Sequence, residues 1–224
     1  IYGLSDIKAA ADDLAAHADD LSASGYYGFY KDLFDKRDAF HLKVGSSYYE
    51  VELLGLCQDE KTAGGAAGLT FGFKDFYITR RMGSDSSTHW ENCELREYLQ
   101  GEFFGLLDGR MQSEETGLAR VTKVQQTGRA LSATLQTSPN QTVFVPSFYE
   151  IWGYTLAQGC DEENGSNSFQ YQRFAVSSAV KADSWWTRSN YSLFNSFWTV
   201  RATSGTHYAT YPTQILGVVP CFAL

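Results

Sequence analysis

From Ser184 to Leu224 the chain has no Asp, no Glu and no Lys, whereas the rest is acidic enough to leave a formal net charge of −8. Aromatic and small polar residues fill this tail instead. Its three dense runs are Trp185-Trp186-Thr187-Arg188-Ser189-Asn190-Tyr191-Ser192, Asn195-Ser196-Phe197-Trp198-Thr199-Val200 and Thr206-His207-Tyr208-Ala209-Thr210-Tyr211. Two readings fit. One is a β-rich core segment whose polar residues sit in turns. The other is a binding surface, because Tyr and Trp offer a large apolar face and a polar handle at low entropy cost, with Ser, Thr and Asn supplying adaptable hydrogen bonds.

The bulk numbers narrow the class of protein. At 224 residues the chain is one large domain or two small ones, and 43% hydrophobic with 20% charged residues is a globular composition. The acidic balance argues against a nucleic-acid binder, which presents a basic face. No stretch approaches the ~18 consecutive apolar residues of a membrane span. No segment reads as a signal peptide, and a sequence that begins at Ile1 leaves targeting open. Cys57, Cys93, Cys160 and Cys221 are far apart and form no CxxC pair, so they read as small apolar core residues rather than as a zinc or redox centre. A single disulfide among them stays open.

Periodicity divides the chain near residue 40. Residues 1–40 read as a helical segment. One helix is capped by Ser5 and runs through Ile7, Ala10, Ala11 and Leu14 to Ala18; a second runs from Tyr26 to about Arg37 with Tyr27, Tyr30, Leu33 and Phe34 on one face. These helices are either a separate module or a stalk through which copies of the chain associate as a homo-oligomer. From His41 the alternation becomes that of strands, at Leu42–Val44, Tyr49–Leu53 and Leu69–Phe73, with 64–68 as a glycine-rich loop. A helix is expected from about Asn92 to Leu107, a strand over Ala119–Val124, a turn at Ser138-Pro139-Asn140, and a short helix after Pro146-Ser147. In the tail, β segments are expected near Phe197–Val200 and Gly217–Phe222.

Several stretches together resemble a known family. They are Tyr49-Glu50-Val51-Glu52-Leu53-Leu54-Gly55-Leu56, then His89-Trp90-Glu91-Asn92-Cys93-Glu94-Leu95-Arg96-Glu97-Tyr98-Leu99, then Ser147-Phe148-Tyr149-Glu150-Ile151-Trp152-Gly153. The series closes with Trp185-Trp186 followed by Arg188-Ser189, and Gly217-Val218. In this order they resemble a domain family of phage and prophage tail-associated genes of gut bacteria. Its C-terminal half is C-type-lectin-like, the scaffold also used by proteins that diversity-generating retroelements vary. The chain departs from the pattern at Asn190, where relatives often carry Pro, and at Val219, where many carry Arg. The resemblance covers roughly Leu42 to Leu224 and leaves the two N-terminal helices outside; it implies a C-type-lectin-like ligand-binding domain over 41–224, which with the helical segment 1–40 makes an α+β protein. It also implies a protein or cell-surface ligand on a bacterial host, and a place on a virion tail or a cell surface.

Candidate residues follow from the same tail. Trp185, Trp186, Phe197 and Val200 are assigned to the core, and Arg188 to a hydrogen-bonding hub, since its fork satisfies several acceptors. The exposed, ligand-binding candidates are Asn190, Tyr191, Phe194, Asn195, Trp198, Thr199, Arg201, His207, Tyr208, Tyr211 and Gln214. No catalytic residue, metal ligand or cofactor is assigned. His17, His41, His89 and His207 form no HExxH or similar pair, there is no Gly-x-Ser-x-Gly elbow, and the tail lacks carboxylates for calcium. The alternatives are an enzyme of unknown reaction on the same scaffold, or a structural tail or assembly protein.

Overall fold

The computed structural model describes residues 3–85, 88–113, 117–127, 134–153, 181–191 and 196–224. The chain enters through α1 (Leu4–Ala16) and α2 (Tyr27–Lys36). The cap of α1 is Gly3 rather than Ser5: the Gly3 N–H donates to the Asp6 carboxylate at 2.9 Å, and the helix stops two residues short of Ala18. The apolar stripe Ala10, Ala11 and Leu14 is fully buried in the same core as the strands. Gly68 permits this docking. A Cβ there would lie 1.9 Å from the carbonyl oxygen of Ala11, so helix and strand meet backbone to backbone.

The strands follow in order. β1 (Ala39–Val44), β2 (Ser47–Glu60) and β3 (Ala66–Phe73) form an antiparallel meander, with positive φ at Gly64 and Gly65 in the turn between the last two. β4 (Ile78–Arg81) leads to α3 (Glu94–Tyr98). The continuous helix expected to Leu107 is interrupted: α3 passes at Leu99–Phe103 into a wider π-turn. β5 (Val121–Thr127) pairs with β6 (Thr134–Gln141). The turn expected at Ser138-Pro139-Asn140 is instead part of β6. Its turn-forming residues are absorbed by an irregularity in the pairing with β5 and by positive φ at Asn140.

β7 (Val143–Phe144) and α4 (Phe148–Trp152) follow, the latter after Ser147 as expected. The tail supplies β8 (Trp185–Tyr191), β9 (Ser196–Val200), β10 (His207–Thr210), β11 (Ile215–Val218) and β12 (Cys221–Ala223). β8 and β10 were not expected as strands. Asn190 in β8 lowers local strand preference and the remaining polar residues break the apolar alternation, and pairing on both sides of β9 fixes both strands.

Among the described residues the strands form two five-stranded sheets, in the orders β1-β2-β3-β12-β7 and β10-β9-β8-β11-β4, with β5-β6 as a separate pair. The protein is α+β. The C-terminal strand β12 returns to lie antiparallel to β3, so the chain closes on the sheet that it began. Trp185, Trp186, Phe197 and Val200 are buried as assigned. Cys93 and Cys221 are buried free thiols and Cys57 a half-buried one; burial raises the Cys57 thiol to about 11 and Cys93 to about 12. Cys160 lies outside the described residues. Among the described residues no helix is long and apolar enough to cross a membrane.

Candidate functional site

Four charged side chains from four elements meet in the core. Lys123 of β5 donates to Asp59 of β2 and, at 3.0 Å, to Glu150 of α4. Arg188 of β8 holds Glu150 with both terminal nitrogens, at 2.5 and 2.8 Å, and donates to the carbonyl oxygens of Val145 (2.8 Å) and Val124 (3.0 Å). Thr70 donates its hydroxyl to Asp59. None of the four charged residues is more than 2% exposed. Among the described residues these are two positive and two negative charges, a balance that favours keeping such groups out of water. Burial alone would raise the Glu150 carboxyl, but the Arg188 and Lys123 cations outweigh it and hold that carboxyl below the usual range.

Arg188 is therefore the hub assigned from sequence. Its partner Glu150 and the pair Asp59–Lys123 were missed. A signal for two of them exists: Lys123 falls on the inward phase of Val121, Lys123 and Gln125, and Glu150 stands three residues after Ser147, the spacing of a capping box.

This brace positions α4. The Ser147 N–H donates to Glu150 (2.8 Å), the Glu150 N–H donates to the Ser147 hydroxyl (3.1 Å), and the Phe148 N–H donates to the Ser189 hydroxyl of β8 (2.9 Å). Gly153, in the left-handed conformation at φ 71°, ends the helix. Trp152 then donates its indole N–H to the carbonyl of Gly205, in the connection between β9 and β10, at 3.2 Å.

An aromatic shelf is built on this base. Phe148 lies 4.4 Å from Trp152, 5.0 Å from Trp198 and 5.2 Å from His207, centroid to centroid. Trp198 in turn meets His207 at 5.1 Å and Tyr191 at 4.5 Å, both edge to face. Phe148 and Trp198 form the buried base, while Trp152, Tyr191 and His207 are half-buried. Burial lowers the His207 pKa, which favours the neutral ring. Beyond the shelf, Arg201 stacks its guanidinium 4.9 Å over Tyr208, and Tyr211 and Gln214 are exposed.

The eleven candidates thus divide. Tyr191, His207 and Tyr208 are half-buried, and Arg201, Tyr211 and Gln214 are exposed, all on or beside β8–β10. Asn190, Trp198 and Thr199 correct the expectation of exposure. Asn190 turns inward and donates to the carbonyl of Thr88 (3.3 Å), Thr199 donates to the carbonyl of Tyr208 (2.9 Å), and Trp198 serves as shelf base. A polar strand residue next to a turn-like sequence read as surface, whereas the sheet places it on the inner face. Phe194 and Asn195 lie outside the described residues. Trp152 belongs to the shelf but was not a candidate, because its place depends on α4 docking 53 residues away on the Gly205 carbonyl.

Among the described residues no group of three or more His, Cys, Asp and Glu is placed to hold a metal ion. No curated protein and no solved structure matches the chain. Residues 73–224 match DUF6273, described as a domain of unknown function, and since that stretch is more than half of the chain, the protein belongs to this family.

Proposed function

We propose that the protein is a ligand-binding protein whose domain over 41–224 is C-type-lectin-like and presents the face of β8–β10 to a receptor on a bacterial host. The observation that carries this reading is the shelf of Trp152, Tyr191, Trp198 and His207, with Arg201, Tyr211 and Gln214 exposed in the turns after β9 and β10. Rigid aromatic anchors ringed by small polar residues are what protein-recognition surfaces use. Two features of topology support the scaffold: the antiparallel pairing of β3 with the chain-closing β12, and a second sheet formed mainly by the tail. The resemblance to phage and prophage tail-associated domains supports a place on a virion tail or a cell surface. Retroelement diversification is a further step, and it fits the Asn, Ser, Thr, Tyr and His content between Trp186 and Gly217.

Adsorption of fluorescently labelled protein to a panel of gut bacterial strains tests the reading. Saturable binding to some strains and not others is expected; a folded protein that adsorbs saturably to none contradicts it. The nucleotide sequence downstream tests diversification separately, through a reverse transcriptase gene and a near-identical template repeat.

A further inference from the structure

We propose that the first sheet carries a second binding site, a pocket for a small carboxylate with an apolar body of roughly six to ten carbons. The pocket, of about 210 Å³, opens between the first turn of α1, the strands β1, β2, β3 and β12, and the turn around residues 108–111. Its floor is Phe40, Val51, Phe71, Met111 and Phe222, with Ile7 as a wall. The floor is fixed by ring packing: Phe71 lies edge to face with Phe40 at 5.4 Å and stacks on Phe222 at 5.6 Å. A cavity of about 150 Å³ lined by such residues takes a benzene-sized molecule, which sets the scale of the ligand body.

The rim sets its charge. Lys43, Asp108 and Arg110 line the mouth. Arg110 is tied to Asp108 by its Nε and by its backbone N–H, both at 2.9 Å. The hydrogen bonds from Arg110, with a smaller contribution from the charge of Lys43, hold the Asp108 carboxyl at about 2, so it is ionised at neutral pH. The lining thus sets Lys43 and Arg110, with His41 beside them, against Asp108 as its one carboxylate, a formal surplus of one positive charge with His41 neutral, on a chain whose net charge is −8. A neutral apolar molecule uses only the floor and an organic cation meets that surplus, whereas a monoanion satisfies floor and rim together. The site lies on a different sheet from the aromatic shelf, so its success or failure leaves the receptor reading untouched.

The test is a titration of the full chain, ¹³C-labelled at its methionine methyls, with hexanoate, octanoate, hexanol and hexylammonium. The chain has two methionines: Met111 lines the pocket, and Met82 is buried outside it. The Met111 methyl signal should shift saturably while that of Met82 stays still. Affinity should rise about fourfold for each methylene added between hexanoate and octanoate. Hexanoate should bind more tightly than hexanol, and hexylammonium most weakly. Lys43→Glu should weaken hexanoate by at least two- to fivefold, the value of an exposed ion pair, and leave hexanol unchanged. No saturable shift at Met111 with any of the four probes overturns the proposal. So does equal binding of hexanoate and hexylammonium, or a Lys43→Glu variant that binds hexanoate as the parent does.

Discussion

Replacing Glu150 by Gln removes one negative charge from a place that water does not reach. The side chain keeps its shape and one carbonyl oxygen, but the buried carboxylate that both Lys123 and Arg188 hold is lost. The new amide also turns N–H donors toward the Arg188 fork. Removing one partner of a buried pair costs about 3–5 kcal/mol. At about 2–4 °C per kcal/mol for a chain of this size, the midpoint of thermal unfolding should fall by roughly 6–20 °C. Urea unfolding followed by Trp fluorescence gives the free energy directly. Ser147→Ala is the reference, since it removes only the cap hydroxyl and should cost about 1 kcal/mol. Arg188→Met placed on top of Glu150→Gln should cost less than the two substitutions separately, because it removes a cation that the lost carboxylate held; a coupling of about 0.5–3 kcal/mol is expected. A Glu150→Gln loss below about 1 kcal/mol, or strict additivity with Arg188→Met, would refute a sealed, charge-balanced brace.

Four further outcomes are expected. Because the Glu150 carboxyl lies below its ordinary value of 4.5 in the fold, its contribution is fully present above that value and is lost as pH falls below it; Glu150→Gln should flatten this acid limb of the stability profile. Gly68→Ala should destabilise by about 1–3 kcal/mol in urea unfolding, since its Cβ meets the Ala11 backbone. Trp185→Ala should cost about 3–5 kcal/mol, as expected for a fully buried Trp, by the same assay. His207 should titrate below its ordinary 6.5 by NMR; the unfolded chain then takes up the proton first, so this group favours the fold at neutral pH and loses that contribution as pH falls through 6.5.

The parts of this architecture that were legible in the sequence are those with a strong local signal. Alternation marked β1, β2 and β3, and Pro146-Ser147 marked α4. The core roles of Trp185, Trp186 and Phe197 follow from size alone. What was not legible depends on partners far along the chain. After its two Trp residues β8 looks polar at Thr187-Arg188-Ser189-Asn190, yet it sits between β9 and β11 and is buried over Trp185–Asn190. Asn190 and Thr199 read as surface because nothing local says which face of the sheet they point to. Lys123 falls in an expected strand and Asp59 carries no local signal, because their pairing spans sixty-four positions. The aromatic shelf combines both cases: its Trp198 and His207 could be listed from composition, but Trp152 joins them only through α4.

The central claim, that recognition resides on the β8–β10 face while stability resides beneath it, is tested most directly by one paired measurement on Tyr211→Ala/Gln214→Ala, both exposed: its melting curve, and its adsorption isotherm on a bacterial strain that the parent binds. Exposed contact residues change stability by about 0.5 kcal/mol or less on substitution, whereas aromatic anchors of an interface cost about 2 kcal/mol or more in affinity. The account predicts a melt within about 2 °C of the parent and adsorption weakened by about thirtyfold or more. A double variant that melts like the parent and adsorbs with the parent's affinity would contradict it, and would move the search for the binding surface to α1 and α2.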